Sequence, residues 1–388
     1  MNVVSARVTG HPTGAYIARL DLDQPHLLGV AKKVDAQIAA LTDSFGHVET
    51  WFLRGLTLER SGEVVWRQPA GLLARQRLHA LKFYQTVRAH PSGSRYIYIR
   101  YQRCTPAFLG LLAALKAADP TRPILVEVPT YPYEAEQLTP RDRLLGLVDR
   151  LTRGELKRYV DRIVTFSRAT EIFGIPTIQT DNGVDTDLMP PPGAPPAGGP
   201  VRLVGVANLG LRHAYDRVIN GLADHRASGA GRAVVFDIVG SGSEEPALRA
   251  SVAARGVGDL VTFRGPMNGK ALSDHLATCH IGVSALGMHR ISADTSDIKS
   301  REYCARGLPF VTANADRDFG PDFPFAFHAP ADETPVDIAG LLAFHDAMRA
   351  GAPDFPARMR AYAETHLTWR AKMATVVAAL RDLLVDVA

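Results

Sequence analysis

Apolar and polar positions follow two different periods along the chain, and each change of period marks an element. Short runs that are almost wholly apolar, YIYIRY at 96–101, PILVEVPTY at 123–131 and DRIVTFS at 161–167, are separated by stretches with helical spacing over 106–118 and from Arg141. Segments near 15–20 and 47–53 read as two further strands of this first set. Beyond residue 200 the order returns: VRLVGVA at 201–207, an amphipathic stretch from Tyr215, VVFDIVGSG at 234–242, a helix over 244–256, LVTFRG at 260–265, a helix near 269–279 and HIGVSAL at 280–286. Strands apolar along their whole length and joined by helices belong in a parallel sheet covered on both faces, so each half predicts a doubly wound α/β domain. No fixed short repeat occurs, which excludes solenoids and propellers.

The two sets are divided by PPPGAPPAGGP at 190–200, where eleven residues hold six prolines and three glycines. Such a stretch offers few backbone donors and reads as a semi-rigid linker. The predicted organisation is a first domain over 1–185, a linker over 186–200, a second domain over 201–360, and a terminal amphipathic helix over 361–388 that contains Trp369. A length of 388 residues agrees, being more than one hydrophobic core usually fills.

Charge adds an asymmetry that the overall balance of +4 hides. Residues 1–180 carry 24 Lys or Arg against 16 Asp or Glu, and residues 181–388 carry 20 against 24. The first half is therefore suited to an anionic partner, a phosphate-bearing acceptor or a lipid surface. Nucleic acid is not expected, because the basic residues are spread and no aromatic-interleaved RNA-binding motif is present. The three cysteines, Cys104, Cys279 and Cys304, are far apart and form no CxxC pair, which fits reduced thiols. With no signal-like opening and no run long enough to span a bilayer, the expected location is the cytoplasm.

Chemistry is sought in the turns after strands, where ligands of open α/β sheets bind. Gly240-Ser241-Gly242 ends a strong strand and precedes a helix with acidic residues in its first turn. Further on, Asp294 and Glu302 stand eight residues apart with Lys299, Ser300 and Arg301 between them, before Gly307 and Pro309. A carboxylate accepts two hydrogen bonds from a ribose diol, cations offset diphosphate charge, and a helix start complements phosphate oxygens, so this composition suits a nucleotide-diphosphate sugar. A solvated helix with an ordinary Gly-Leu-Pro stop is the other reading of the same residues.

The order GSG, FRG, HIGVS and then D-x7-E-YCARGLPFV, preceded by VTFS at 164–167 and DNGVD at 181–185, resembles retaining glycosyltransferases of the GT-B fold, family four in particular. That resemblance implies two Rossmann-like domains facing across a cleft and a nucleotide-sugar donor, UDP-linked in many members, held mainly by the second. It implies that Glu302 binds the ribose hydroxyls and that Asp294, an aspartate where glutamate is usual, contacts the donor sugar. The diphosphate-clamping Arg and Lys positions fall on Asn208 and His213, with Arg212, Lys299 and Arg301 as alternative cations. On the acceptor side, Gly29 opens GVAKKVDAQIAAL, a reduced form of the family's glycine turn and helix, and Glu127, Thr130 and Tyr131 in EVPTYPYEAE are candidate acceptor contacts. No cofactor or metal is expected, since cations and helix dipoles assist the leaving diphosphate in this family. The D-x-D pairs Asp21/Asp23, Asp185/Asp187 and Asp316/Asp318 are too common a pattern to argue otherwise.

Two rival functions stay open. A nucleotide-sugar epimerase would use an acid and base such as His289 beside Arg290, and a silent nucleotide-sugar-binding module would explain the departures at Asn208, His213 and Asp294. The segment 141–163 places leucines and valines at helical spacing among seven basic residues, so it reads either as a helix lying on anionic lipid or as a solvated helix packed on its own sheet. Under the first reading the acceptor is a lipid-linked glycan precursor, and the enzyme is peripheral on the inner face of the cell membrane in polysaccharide biosynthesis.

Overall fold

The structure, a computed structural model, describes residues 13–24, 27–68, 79–133, 140–191, 193, 198–229, 231–291 and 296–385. It divides into two compact units, Met1–Asp181 with Lys372–Ala388 and Asn182–Ala371. Asp294, Glu134 and residues 192 and 194–197 of the proline-rich run lie outside the described residues.

Unit 1 is built on a nine-stranded sheet. Its elements in chain order are β1 (Gly14–Asp21), α1 (Leu28–Phe45), β2 (Val48–Arg54), β3 (Thr57–Arg60), β4 (Glu63–Arg67), α2 (His79–Ala89), β5 (Tyr96–Arg100), α3 (Pro106–Ala118), β6 (Ile124–Val128), α4 (Pro140–Thr152), β7 (Arg162–Thr165), β8 (Glu171–Ile172) and β9 (Ile175–Gln179). The strand order is β4-β3-β2-β1-β5-β6-β7-β9-β8. From β2 to β9 the pairs are parallel, and antiparallel strands close both edges. Every residue of β5 and β6 is buried, as continuous apolar runs require at the centre of such a sheet.

Alternation sorts the two faces. Ile17, Ile97, Ile99, Ile124 and Val126 pack with α2 and α3, whereas Tyr16, Tyr96, Tyr98, Leu125 and Val164 pack with α1 and the terminal helix. Thr105 caps α3 by accepting the Phe108 N–H, with Pro106 in its first turn. The single helix expected over 141–163 is two pieces, because the α-helix ends at Thr152, a 3-10 turn takes Arg153–Arg158, and β7 enters the sheet at Arg162. Gly154, a weak helix former, stands at that break.

Unit 2 contains β10 (Val201–Val206), α5 (Asp216–Ala227), β11 (Val234–Val239), α6 (Glu245–Ala254), β12 (Val261–Gly265), α7 (Gly269–Leu276), β13 (Ile281–Val283), α8 (Ile298–Ala305), β14 (Phe310–Thr312), β15 (Ala326–His328), α9 (Ile338–Gly351), α10 (Phe355–Tyr362) and the start of α11 (Trp369–Val385). Its six strands run in the order β12-β11-β10-β13-β14-β15, all parallel. The order reverses between β10 and β13, and the carboxyl ends of those strands are where a doubly wound sheet places its ligand.

The unit boundary precedes the proline-rich run for a local reason. Val184 donates to the Leu367 carbonyl at 2.8 Å and bridges Thr368, Arg360 donates to the Thr186 carbonyl at 2.8 Å, and a Cβ on Gly183 would lie 2.7 Å from the Trp369 backbone. The DNGVD turn is thereby tied to unit 2 from Asn182 onward. The last residues of α11 pack in unit 1, where Met373, Val376, Val377 and Leu380 join the core face that holds Tyr16 and Val34.

Candidate functional site

In unit 2 the turns after β10 and β11 are joined backbone to backbone. Leu209 donates to the Ser241 carbonyl at 2.9 Å and Glu244 to the Leu209 carbonyl at 3.1 Å. Gly240 has φ +122°, and a Cβ there would stand 1.8 Å from the Ala207 carbonyl oxygen; one on Gly242 would stand 2.3 Å from that of Leu209. What the glycine at 240 admits is the backbone of the neighbouring loop.

The turn after β10 also meets the turn after β13, through Gly287 N–H to the Arg212 carbonyl at 2.9 Å and Leu286 N–H to that of His213 at 3.3 Å. Arg212 and Asn208 are exposed there. His213 is buried, with Nδ1 3.2 Å from the Gly210 N–H. Burial and then the Arg212 charge push its pKa below the usual histidine value, against the opposing pull of Asp297. At neutral pH the imidazole is uncharged and serves as a hydrogen-bonding group rather than a diphosphate cation.

The start of α8 faces the same turns. Asp297, which the sequence reading passed over, accepts the Ser284 hydroxyl and the Ala285 N–H at 3.1 Å, and Ser284 Oγ lies 2.5 Å from Ser300 Oγ. Ser300 is therefore buried as a bracing group between β13 and α8. Arg301 is corrected outright as a diphosphate ligand. It is fully buried, bidentate on Asp316 at 2.7 and 2.9 Å, bonded to Asp318, and donates to the Asp297 carbonyl at 2.9 Å. Lys299 and Glu302 remain accessible, their side chains 22% and 28% exposed, paired at 2.6 Å across one helical turn. The unit thus brings Arg212, His213, Asp297 and Lys299 into one electrostatic neighbourhood, with Glu302 attached through Lys299.

Two tyrosines hold the strands at this point. A Cβ on Gly205 would stand 2.5 Å from the Tyr215 ring and one on Gly282 2.5 Å from the Tyr303 ring, on opposite faces of the sheet. Tyr303 Oη receives the Val206 N–H at 3.1 Å. His289 and Arg290, the epimerase candidates, are engaged elsewhere: His289 pairs with Glu333 at 2.7 Å, and Arg290 with Asp216 at 2.8 Å and with Glu333. Five aspartates of the D-x-D pairs are likewise engaged, Asp316 and Asp318 by Arg301, Asp23 by Arg54 at 3.2 Å, Asp21 by the Gly55 N–H at 2.9 Å, and Asp185 by the Asp187 N–H at 3.1 Å.

In unit 1, Gly29 lies in the first turn of α1 instead of in a turn before it, exposed, with nothing near its Cβ position. Glu127 is fully buried, which corrects its expected contact with an acceptor. It receives Arg100, the Tyr98 hydroxyl at 2.6 Å and the Gln37 amide at 2.8 Å, and it lies 3.9 Å from Lys33 Nζ. Lys33, also unforeseen, sits 3.3 Å over the Phe166 ring with its side chain 13% exposed. Its burial brings the ammonium pKa down to about 7. A lysine pair in an amphipathic helix reads as solvated from sequence, and only the fold brings Glu127 beneath it. Thr130 and Tyr131 are half-buried, Tyr131 against Phe173.

No family model matches the chain, and no curated protein matches it in sequence. Solved structures do match. Sucrose-phosphate synthase of Thermosynechococcus elongatus aligns over 97% of this chain and 100% of its own at 15% identity and TM-score 0.62. A glycosyltransferase of Rickettsia africae aligns over 97% and 98% at 10% identity and TM-score 0.60. HepE of Anabaena, solved with UDP-glucose, aligns over 95% and 99% at 14% identity and TM-score 0.57. The order of strands in both sheets and these alignments along nearly the whole chain agree: this protein has the GT-B glycosyltransferase fold.

Proposed function

We propose that the protein is a retaining glycosyltransferase that moves a sugar from a nucleotide-diphosphate donor, held by unit 2, to a hydroxyl of a glycan, lipid-linked or small-molecule acceptor in the cytoplasm. The observation that carries this reading is the accessible Glu302–Lys299 pair on α8, beside Arg212 and His213 at the turns following β10 and β13. The carboxylate suits a ribose diol, Arg212 and Lys299 suit the diphosphate, and the neutral imidazole donates one hydrogen bond to a donor oxygen. HepE, which shares the fold, binds UDP-glucose. Rate acceleration then rests on holding the acceptor hydroxyl at the anomeric carbon and on charge stabilisation of the departing diphosphate. Retention is read from the motif order.

Calorimetric titration with UDP, GDP, ADP and TDP tests the donor site. One base should bind, and Glu302→Ala should weaken it by roughly 5- to 150-fold, the equivalent of about 1–3 kcal/mol for a stripped charged acceptor. Unchanged affinity in the variant would remove Glu302 from the site. The anomeric configuration of the product, read by NMR, tests retention.

A further inference from the structure

The buried side of α4 determines which side faces out. Asp149, itself buried, accepts the Tyr133 hydroxyl at 2.5 Å, the Cys104 N–H at 2.6 Å and the Tyr101 hydroxyl. Arg153 adds an ion pair to Asp149 at 3.7 Å and covers the Phe173 ring at 4.8 Å. Thr152 donates to the Val148 carbonyl at 2.8 Å. With positions 145, 148, 149 and 152 turned inward, the outer face carries Leu144, Leu147 and Leu151, which are 63%, 53% and 76% exposed. Their i, i+3, i+7 spacing makes one apolar stripe.

Cations flank that stripe. Arg143 and Arg150 are exposed on the helix, and Lys157 and Arg158 on the 3-10 turn that follows. Over residues 143–160, the exposed acid is Glu155, bonded to Arg158 at 2.7 Å. Three leucines in water beside four cations, on the half of the chain with a charge of +8, complement a surface that is apolar beneath and anionic above. A second copy of the chain fits poorly, since a two-fold contact through this face would set the arginines of one copy near those of the other.

We propose that the Leu144–Leu147–Leu151 face of α4 docks the protein on an anionic bilayer, the leucines entering the headgroup boundary and the flanking arginines meeting lipid phosphates. The inference is independent of which sugar is transferred. It goes beyond the sequence expectation by replacing a helix over 141–163 with one defined face.

Vesicle flotation with the full chain tests it, using phosphatidylcholine alone and phosphatidylcholine mixed with phosphatidylglycerol. The chain should float with the mixed vesicles, lose that binding in high salt, and bind about fivefold more weakly for each of Arg143→Gln and Arg150→Gln. The triple variant Leu144→Ser, Leu147→Ser, Leu151→Ser should lose flotation while keeping its thermal unfolding and nucleotide affinity, because the three side chains already lie in water. Equal flotation with both vesicle types, or a triple variant that floats like wild type, would overturn the proposal. So would a lipid-free dimer in ultracentrifugation that the triple variant abolishes. Nucleotide binding is read separately, so either proposal can fail alone.

Discussion

Arg301 and Lys33 are both cations beside carboxylates, yet their environments differ in sign. The two aspartates around Arg301 offset its charge completely within the core of unit 2. Lys33 has Glu127 and Asp181 in its favour, but burial and the Arg100 charge outweigh them and bring its pKa from 10.5 to about 7. A folded-state pKa below the unfolded value means that the unfolded chain binds more protons between about pH 7 and pH 10.5, so stability rises with pH across that window. Below it both states are charged and the burial penalty is fully present. Lys33→Met should therefore melt at a higher temperature than wild type near pH 6 and converge with it towards pH 10; parallel melting curves would show that Lys33 is hydrated. Glu302 can be singled out in the sequence as half of a carboxylate pair eight residues apart, because such spacing is local information. Arg301 was misread, since its partners lie fifteen and seventeen residues onward and only the return of the chain at 316–318 brings them to it.

At the scale of elements, the paired glycines and tyrosines at the sheet reversal make a specific demand. Gly282 leaves room for the Tyr303 ring, whose hydroxyl is fixed at its far end by Val206 and lies 3.3 Å from the Val204 and Val283 carbonyls. A methyl at 282 would force the ring or the strand aside, so Gly282→Ala should cost about 1–3 kcal/mol of stability, read as a lower urea midpoint. An unchanged midpoint would mean that β13 shifts freely. The central strands were legible because burial on both faces makes them apolar throughout, as in VRLVGVA and YIYIRY. β3 and β4 were not, being short strands of mixed polarity with β4 at the sheet edge; what joins them is the Ser61-Gly62 turn with both φ values positive, 48° and 84°. β8, two residues long, carries no readable period.

For the whole molecule, the proline-rich run reads as a boundary because prolines remove backbone donors, whereas the division into compact units falls at Asp181, close to where Val184 pairs with the chain returning at 367–368. Long-range pairing of that kind has no local signature. The same division assigns Lys372–Ala388 to unit 1, in which Met373, Val376 and Leu380 are at most 1% exposed. Burial of three such side chains contributes about 5–9 kcal/mol, comparable with the stability of a typical domain. A chain ending at Ala371 should thus lose the calorimetric transition of unit 1 and retain that of unit 2. Retention of both transitions would show that unit 1 stands without its last helix.

That last helix also sets a schedule. Unit 2 is an insertion of 190 residues between Asp181 and Lys372, so a ribosome adding about 5–20 residues per second completes it about 10–40 s after the strands of unit 1 have emerged. During that interval the face of the first sheet bearing Tyr16, Tyr98 and Leu125 lacks the cover of α11. The host sheet can be covered only after the whole insertion has been made, so its apolar face stays open for as long as the synthesis of unit 2 lasts.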